Sequence, residues 1–175
     1  RFGHVRVLGL EPHPEVFDWV SSCISHNRLT NVSVMPIGLG DSACRATLRL
    51  NGPRSTMRSD WYPDSNLKEV DIEVRALDDV LSDCGIAHVR LWKLDVEGLE
   101  LAALRGARRS LTNARIDAVL FEVNKERFLE IRDYLAEVGY SIYAIGRLGL
   151  HAVSSASGHG NLVALPNSLR KLPGY

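Results

Sequence analysis

The stretch at residues 91–98 constrains the fold of this chain more than any other. It begins as a mostly apolar strand and ends in Asp95, Glu97 and Gly98, and a helix-like segment follows at 99–111. Open α/β sheets bind ligands at the edge where strands end and helices begin. The stretch therefore predicts an α/β fold with Asp95 and Glu97 at a ligand-binding edge. On spacing alone, it is equally consistent with one carboxylate merely capping the next helix.

Strands and helices alternate along the whole chain. Hydrophobic spacing predicts strands at 5–10, 32–35, 45–50, 70–76, 89–95, 116–121, 140–145 and 161–165, and helices at 14–26, 77–84, 99–111 and 125–138. This alternation implies right-handed parallel crossovers and a mainly parallel sheet with helices on both faces. The last two strands have no helix between them, which predicts an antiparallel strand at one edge. A small hairpin is expected at 148–153, and Gly38, Gly40 and Asp41 predict a turn.

Composition limits the class of protein. The chain has 175 residues, of which 45% are hydrophobic, enough for the core of one globular domain spanning 1–175. Lys plus Arg and Asp plus Glu each number 21, which argues against nucleic-acid binding through net charge. No apolar run is long enough to cross a membrane. The cysteines Cys23, Cys44 and Cys84 fit neither a metal knuckle nor a disulfide framework, which indicates a reducing cytoplasm.

Three predicted strands end in an acidic residue, namely Glu11, Asp95 and Glu122. In a parallel sheet these three ends share one edge. Glu11 stands where nucleotide-binding α/β folds place the acid that binds ribose hydroxyls. Glu122 and Asn124 lie on the same side of an extended chain. With Asp95 they form either an oxygen site for a hard cation or a set of hydrogen-bonding groups for a polar substrate, so a metal is left open.

A long segment at 51–68 is rich in Gly, Pro, Ser and Asp, and loops of this length in compact domains often carry function. Within it, Trp61 and Tyr62 form either an aromatic wall over a substrate or a cluster that pins the loop. The aromatic lining of ligand pockets favours the wall. Asp41 is a ligand contact or, as turn chemistry favours, an ordinary turn residue. His13, between two prolines, is expected to be a solvated loop residue.

Six short motifs occur in order along nearly the whole chain. They are LEPHP (10–14), PIGLGD (36–41), ALDDVL (76–81), KLDVEG (93–98), LRGA (104–107) and FEV (121–123). In these motifs, above all KLDVEG, the chain resembles the FkbM-type family of class I S-adenosylmethionine-dependent methyltransferases. The resemblance implies a Rossmann-like α/β fold and, as activity, O-methylation of a hydroxyl on a sugar or natural product.

The resemblance also implies roles for individual residues. Glu11 would hold the ribose hydroxyls of S-adenosylmethionine, and Asp41 would approach its adenine amino group. Asp95 and Glu97 would line the methyl-transfer site near the sulfonium and the acceptor, with Lys93 supporting them. The acceptor pocket would be bordered by Glu122 and Asn124, and its occupant would be a small molecule or a glycan. Assembly into a homo-oligomer is compatible with this reading.

The chain also departs from that family. Such folds begin with a strand and a glycine-rich turn that hold the methionine part of the cofactor, whereas Gly3 stands alone here. The first strand is therefore expected to be absent from a domain that is incomplete at its N-terminus, and this chain by itself is expected to bind S-adenosylmethionine weakly or not at all. Asn124 stands where relatives commonly have His. Two alternatives remain, a non-catalytic binding or scaffold domain and a nicotinamide-dependent oxidoreductase, whose ribose Glu11 would also suit.

Overall fold

The computed structural model describes residues 5–51, 55–58, 60, 66–122, 127–147, 149–153 and 161–171. The strands are β1 (Val7–Leu10), β2 (Val32–Met35), β3 (Ile37–Leu39), β4 (Cys44–Arg49), β5 (Glu69–Arg75), β6 (Trp92–Leu94), β7 (Val119–Glu122), β8 (Tyr140–Gly146), β9 (Gly149–Ala152) and β10 (Asn161–Pro166). The helices are α1 (Pro14–His26), α2 (Leu77–Asp83), α3 (Glu100–Gly106), α4 (Arg108–Thr112) and α5 (Phe128–Glu137). A short 3-10 helix, Asn167–Lys171, follows β10. No helix in these ranges is long and apolar enough to cross a membrane.

The strands form an α/β fold with three hydrogen-bonded sheets. Strands β1 and β2 pair in parallel, β3, β5 and β4 form a second sheet, and the largest sheet has the order β6-β7-β10-β8-β9. Pairing is parallel for β1–β2, β3–β5 and β6–β7 and antiparallel for the other four pairs. The sheets are therefore mixed, and the prediction of a mainly parallel sheet is not confirmed. Connections without a helix account for two of the antiparallel pairs, β4–β5 and β8–β9.

The antiparallel strand that the sequence predicts at an edge lies inside the largest sheet. Strand β10 pairs with β7 on one side and with β8 on the other. The edge position belongs to β9, which folds back onto the outer side of β8 in a hairpin. Because β9 occupies that outer side, β10 pairs with the inner side of β8.

Several predicted elements match the structure closely. Helix α1 spans the predicted residues 14–26 and has Pro14 in its first turn, where a missing N–H costs nothing. Strands β4 and β5 pair as expected. Helix α5 is followed by Gly139, whose φ of 87° is the left-handed conformation that glycine adopts most easily.

Two predicted elements differ from the structure. The predicted helix at 99–111 is two helices, α3 and α4, separated at Ala107. The carboxylate of Asp78, on α2, accepts hydrogen bonds from the backbone N–H groups of Arg109 and Ser110 at 2.7 and 2.9 Å. An acid from another helix thus satisfies N–H groups at the start of α4, which local sequence spacing does not reveal. Gly38 lies inside β3 instead of in a turn.

The main core lies against the five-stranded sheet. Its fully buried members include Leu94, Leu104, Leu111, Ile116, Phe121, Phe128, Ile131 and Leu135. Removing each such side chain from water contributes roughly 1.5–3 kcal/mol. Tyr140 is 2% exposed, and its hydroxyl donates a hydrogen bond of 2.5 Å to the carbonyl oxygen of Ile116. Helix α1, by contrast, has no buried side chain.

Helix α3 lies against the turn that follows β3 at a distance that only glycine permits. A Cβ atom at Gly106 would lie 2.0 Å from the carbonyl oxygen of Gly40 and 3.1 Å from the Cα atom of Ala76. Both obstacles are backbone atoms, which cannot rotate away. This contact fixes the end of α3 against the sheet that contains β3.

We predict that Gly106→Ala destabilises the fold strongly, by about 3 kcal/mol or more, because the backbone must move to admit one carbon atom. Gly9→Ala is the matched control, since a Cβ there meets its nearest atom at an ordinary 3.5 Å. The control should change the free energy of unfolding by less than about 1 kcal/mol. Chemical denaturation measures both, and equal losses in the two variants would contradict the packing account.

We predict that Tyr140 makes the fold sensitive to alkali. Burial raises the pKa of Tyr140 to about 12. The neutral phenol is thus favoured in the folded state, so this contribution is complete below about pH 10, the unfolded pKa, and is lost as the pH rises towards 12. Tyr140→Phe should cost about 1 kcal/mol at pH 7. In denaturation curves it should lose less stability than the wild type between pH 9 and pH 12, and an identical pH profile would contradict this.

Candidate functional site

Glu11 leaves the end of β1 with its carboxylate already oriented. Its backbone N–H donates to the carbonyl oxygen of Met35, which extends the pairing of β1 with β2 by one residue. Its Oε1 atom accepts a hydrogen bond of 2.8 Å from the backbone N–H of His13. The short side chain-to-backbone loop holds a half-buried carboxylate in one place at the end of the strand.

His13 differs from its sequence expectation. The residue is 7% exposed, so the interpretation as a solvated loop residue is wrong. Pro14 begins α1 directly after it, and the carbonyl oxygen of His13 accepts the first backbone hydrogen bond of that helix, from Phe17. The imidazole, between the two prolines, therefore lies in the interior. Within the described part of the chain, its Nδ1 atom is buried and has no hydrogen-bond partner.

Strand β6 presents alternate faces to the core and to the surface. Trp92 and Leu94 are buried, whereas Lys93 and Asp95 are exposed. The Nζ atom of Lys93 lies 2.8 Å from Oδ2 of Asp95. A solvent-exposed pair of this kind adds little stability, about 0–1 kcal/mol, so its main effect is to orient the Asp95 carboxylate.

The turn that follows β6 has an unusual backbone. Glu97 has a φ of 47° and Gly98 a φ of 93°, so two successive residues are left-handed. This conformation costs a residue with a side chain roughly 1–2 kcal/mol. The interpretation of Asp95 or Glu97 as a helix cap is wrong, because Leu99 occupies the N-cap position of α3 and makes no side-chain cap.

Side chains from three separate segments hold this turn. The hydroxyl of Thr56 donates to the carbonyl oxygen of Glu97 at 3.0 Å. The backbone N–H of Gly98 donates to Oε1 of Glu100, which is buried, at 3.0 Å. The Nη1 atom of Arg127 donates to the carbonyl oxygen of Gly98 at 3.2 Å. A strained turn persists when its surroundings support it in this way.

One cleft of about 1380 Å³ brings four of the predicted residues together. It is lined by Glu11 from the end of β1 and by Lys93, Asp95 and Glu97 from β6 and its turn. The prediction that Glu11 and Asp95 open on the same cleft is therefore confirmed. The rest of the lining is mostly apolar and includes Leu10, Leu39, Met57, Leu77 and Trp92. Arg6, His88 and Arg90 line the opposite end, so in the described part of the chain the cleft runs along the whole of β1 and β6, between the edges of these strands that pair with no other strand.

Asp41 and Glu122 lie outside the lining of this cleft. Asp41 is exposed in the turn after β3, where its Oδ1 atom accepts a hydrogen bond from the hydroxyl of Ser42. Glu122 is exposed at the end of β7 and follows Phe121, the partner of Leu94 in β6. Glu122 is thus at the same sheet edge as Asp95, as predicted, and its role stays a prediction.

Other predicted contacts cannot be placed. Trp61, Tyr62 and Asn124 lie outside the described residues. Among those that are described, no three His, Cys, Asp or Glu side chains gather in a way that could hold a metal ion.

Sequence reasoning missed the three residues that hold the turn. Glu100 had a usable signal, since an acid in the first turn of a helix often interacts with nearby backbone N–H groups. Thr56 and Arg127 had none, because they lie 41 and 29 residues from their partners in the sequence. Beside Thr56, a hydrogen bond from Arg58 lowers the pKa of Asp60, which keeps that carboxylate charged.

Comparisons with known proteins identify the family and a similar fold. A family model described as the methyltransferase FkbM domain matches residues 1–142. The fold is similar to a crystal structure of methyltransferase FkbM from Methylobacillus flagellatus KT, with a TM-score of 0.60 and 20% sequence identity. That match covers 91% of this chain and 36% of the other, so this chain spans little more than a third of that protein's length. No curated protein matches the chain.

We predict that Glu97→Gly gives a more stable protein than Glu97→Ala, by about 1 kcal/mol. Both changes remove the carboxylate, but only glycine tolerates a φ of 47° without steric cost. The free energies of unfolding, measured side by side in urea, provide the comparison. An alanine variant as stable as the glycine variant would show that the left-handed turn is not strained.

Proposed function

Because the chain belongs to the FkbM methyltransferase domain family, we propose that it is a methyltransferase domain that uses S-adenosylmethionine to methylate a hydroxyl of a sugar or natural product. The observation that carries this proposal is the single cleft that contains Glu11 at the end of β1 and Asp95 and Glu97 at the end of β6. Glu11 and the Asp95–Glu97 pair stand at the ends of two separate strands that line one cleft, which would allow one ligand to lie against Glu11 and a second to meet the turn after β6.

The cleft fits the adenosine end of S-adenosylmethionine. A carboxylate held as Glu11 is held can accept hydrogen bonds from a ribose diol, and apolar walls such as Leu10 and Leu39 suit an adenine ring. His13 also lines this cleft, although its Nδ1 atom is buried from solvent within the described residues. Asp41 would approach the adenine amino group from the turn after β3.

The residues at the end of β6 supply the groups that methyl transfer to a hydroxyl needs. S-adenosylmethionine, when bound, supplies an electrophilic methyl group. Asp95 and Glu97 would position the acceptor hydroxyl, and one of the two would take up its single proton as the methyl group leaves the sulfur of the cofactor for the acceptor oxygen. Lys93 holds the Asp95 carboxylate in one orientation, at 2.8 Å. Since the methyl group needs little further activation, alignment of the acceptor oxygen carries much of the rate.

The acceptor side of the proposal rests on position along the sheet edge. Glu122 stands at the end of β7, next to β6 in the sheet, where it would border an acceptor that reaches beyond the cleft. Asn124, Trp61 and Tyr62 are proposed to contribute to the same pocket. The acceptor would be a small molecule or a glycan, and the domain would work as a monomer or a homo-oligomer. We also propose a reducing compartment such as the cytoplasm, which the free cysteines support.

The role of Glu11 is tested by cofactor binding. We expect Glu11→Gln to weaken the binding of S-adenosylhomocysteine at least about tenfold, because the charged acceptor of two hydroxyl hydrogen bonds is lost. Glu130→Gln, an exposed change on α5, is the control and should leave the affinity unchanged. Calorimetric titration measures both. Equal affinity of the Glu11 variant and the wild type would contradict the site, and binding of NADH instead would favour an oxidoreductase.

The roles of Asp95 and Glu97 are tested by turnover. We expect Asp95→Asn and Glu97→Gln to keep the fold and to lower methyl transfer by about a hundredfold or more, as removal of a positioned acid–base group does. Transfer of a labelled methyl group to a panel of sugars and polyhydroxylated natural products measures the rate. Near-normal rates in both variants would remove these carboxylates from the reaction, and a wild type that binds cofactor but never transfers would favour a binding domain.

A further inference from the structure

Three side chains hold the backbone of the turn after β6, and two of them, those of Thr56 and Arg127, are remote from it in sequence. Glu97 and Gly98 are both left-handed, and three of their backbone groups are bound by side chains. These groups are the carbonyl oxygens of both residues and the N–H of Gly98. A residue other than glycine in this conformation at a functional edge needs support from its surroundings.

Thr56 is built as a bridge. It is 1% exposed, and its backbone N–H and carbonyl groups pair with those of Arg49 at the end of β4. Its hydroxyl donates to the carbonyl oxygen of Glu97 and accepts from the backbone N–H of Arg58 at 3.1 Å. The hydroxyl therefore both donates and accepts a hydrogen bond. Thr56, which is buried, thereby connects the end of β4 to the turn through one hydrogen bond.

Arg127 supports the other residue of the turn. Its guanidinium reaches from the residue before α5 to the carbonyl oxygen of Gly98. Thr56 and Arg127 thus bind the two consecutive carbonyl oxygens of the turn, Thr56 from the segment after β4 and Arg127 from the residue before α5.

We propose that Thr56 and Arg127 are positioning residues that keep Glu97 left-handed and thereby keep its carboxylate at the cleft. They act through the backbone of the turn. As far as catalysis is concerned, this inference rests on the proposed methyltransferase function, whereas the conformational part stands by itself. Left-handed backbone at Glu97 directs its side chain differently from ordinary extended or helical backbone, so loss of either bond would move the carboxylate.

The test compares two changes at one position. Thr56→Val keeps the shape of the side chain and removes the hydroxyl, whereas Thr56→Ser keeps the hydroxyl. Thr47→Val, an exposed change on β4, controls for a general effect of valine. One readout is the backbone angle φ of Glu97, from NMR couplings that distinguish positive from negative φ. The other is the affinity for S-adenosylhomocysteine as the probe.

We expect Thr56→Val to populate negative φ at Glu97 and to weaken probe binding about tenfold, the effect of one lost hydrogen bond. Thr56→Ser should restore both to within about twofold of the wild type, and Thr47→Val should change neither. An unaltered φ in the valine variant, or a serine variant as impaired as the valine variant, would overturn the proposal.

Two further outcomes separate this inference from the proposed function. If the probe binds the wild type too weakly to measure, as expected of this chain without a glycine-rich turn, the shift of φ in Thr56→Val still decides the positioning role, and methyl transfer by the wild type decides the proposed function. If Thr56→Val does not fold, the variants Arg127→Gln and Arg127→Lys test the proposal instead. Arg127→Lys, which keeps a cation and a donor, should retain positive φ at Glu97, and Arg127→Gln should lose part of it. Unchanged φ in both would overturn the role of Arg127.

Discussion

The backbone reversal at Glu97 and Gly98 is the constraint on which the rest of the site depends. It turns the chain from β6 into α3 within a few residues, and the two left-handed residues make this possible. The turn places Asp95 and Glu97 at the cleft, and α3 then runs to Gly106, which touches the turn after β3. The strain of the reversal is offset by hydrogen bonds from side chains on three segments, so the geometry of the carboxylates is a property of the whole fold.

The cleft is shaped by two strands that lie apart from one another. Among the described residues, β1 pairs with β2 alone and β6 with β7 alone, and both line the cleft. Their carboxyl ends supply Glu11 and Asp95, while the apolar residues along them form the walls. The polar groups at these carboxyl ends suit a ligand with a ribose and a reacting group, and the apolar walls suit an aromatic base. The direction of these two strands therefore determines which carboxylates lie at the cleft.

Local sequence patterns predicted the elements well and their assembly less well. Proline and glycine fixed the ends of α1 and α5, and alternation identified β4 and β5, because these signals act within a few residues. The interruption at Ala107 was missed because its cause is Asp78, some thirty residues away. The mixed sheet order was missed because strand order depends on pairings between strands that are distant in sequence, such as β7 with β10.

The site residues likewise divide into those that local sequence patterns predict and those that they do not. Glu11, Lys93, Asp95 and Glu97 were predicted from strand ends and from the resemblance to a family, and the cleft contains all four. His13, Thr56 and Arg127 were not, because burial and long-range hydrogen bonds leave no local pattern. The single most direct measurement is an NMR titration with S-adenosylhomocysteine, which maps amide shifts onto the chain. This account predicts the largest shifts at residues 9–13 and 95–98 together, and shifts confined to the opposite ends of the strands, around His88 and Asp117, would contradict it.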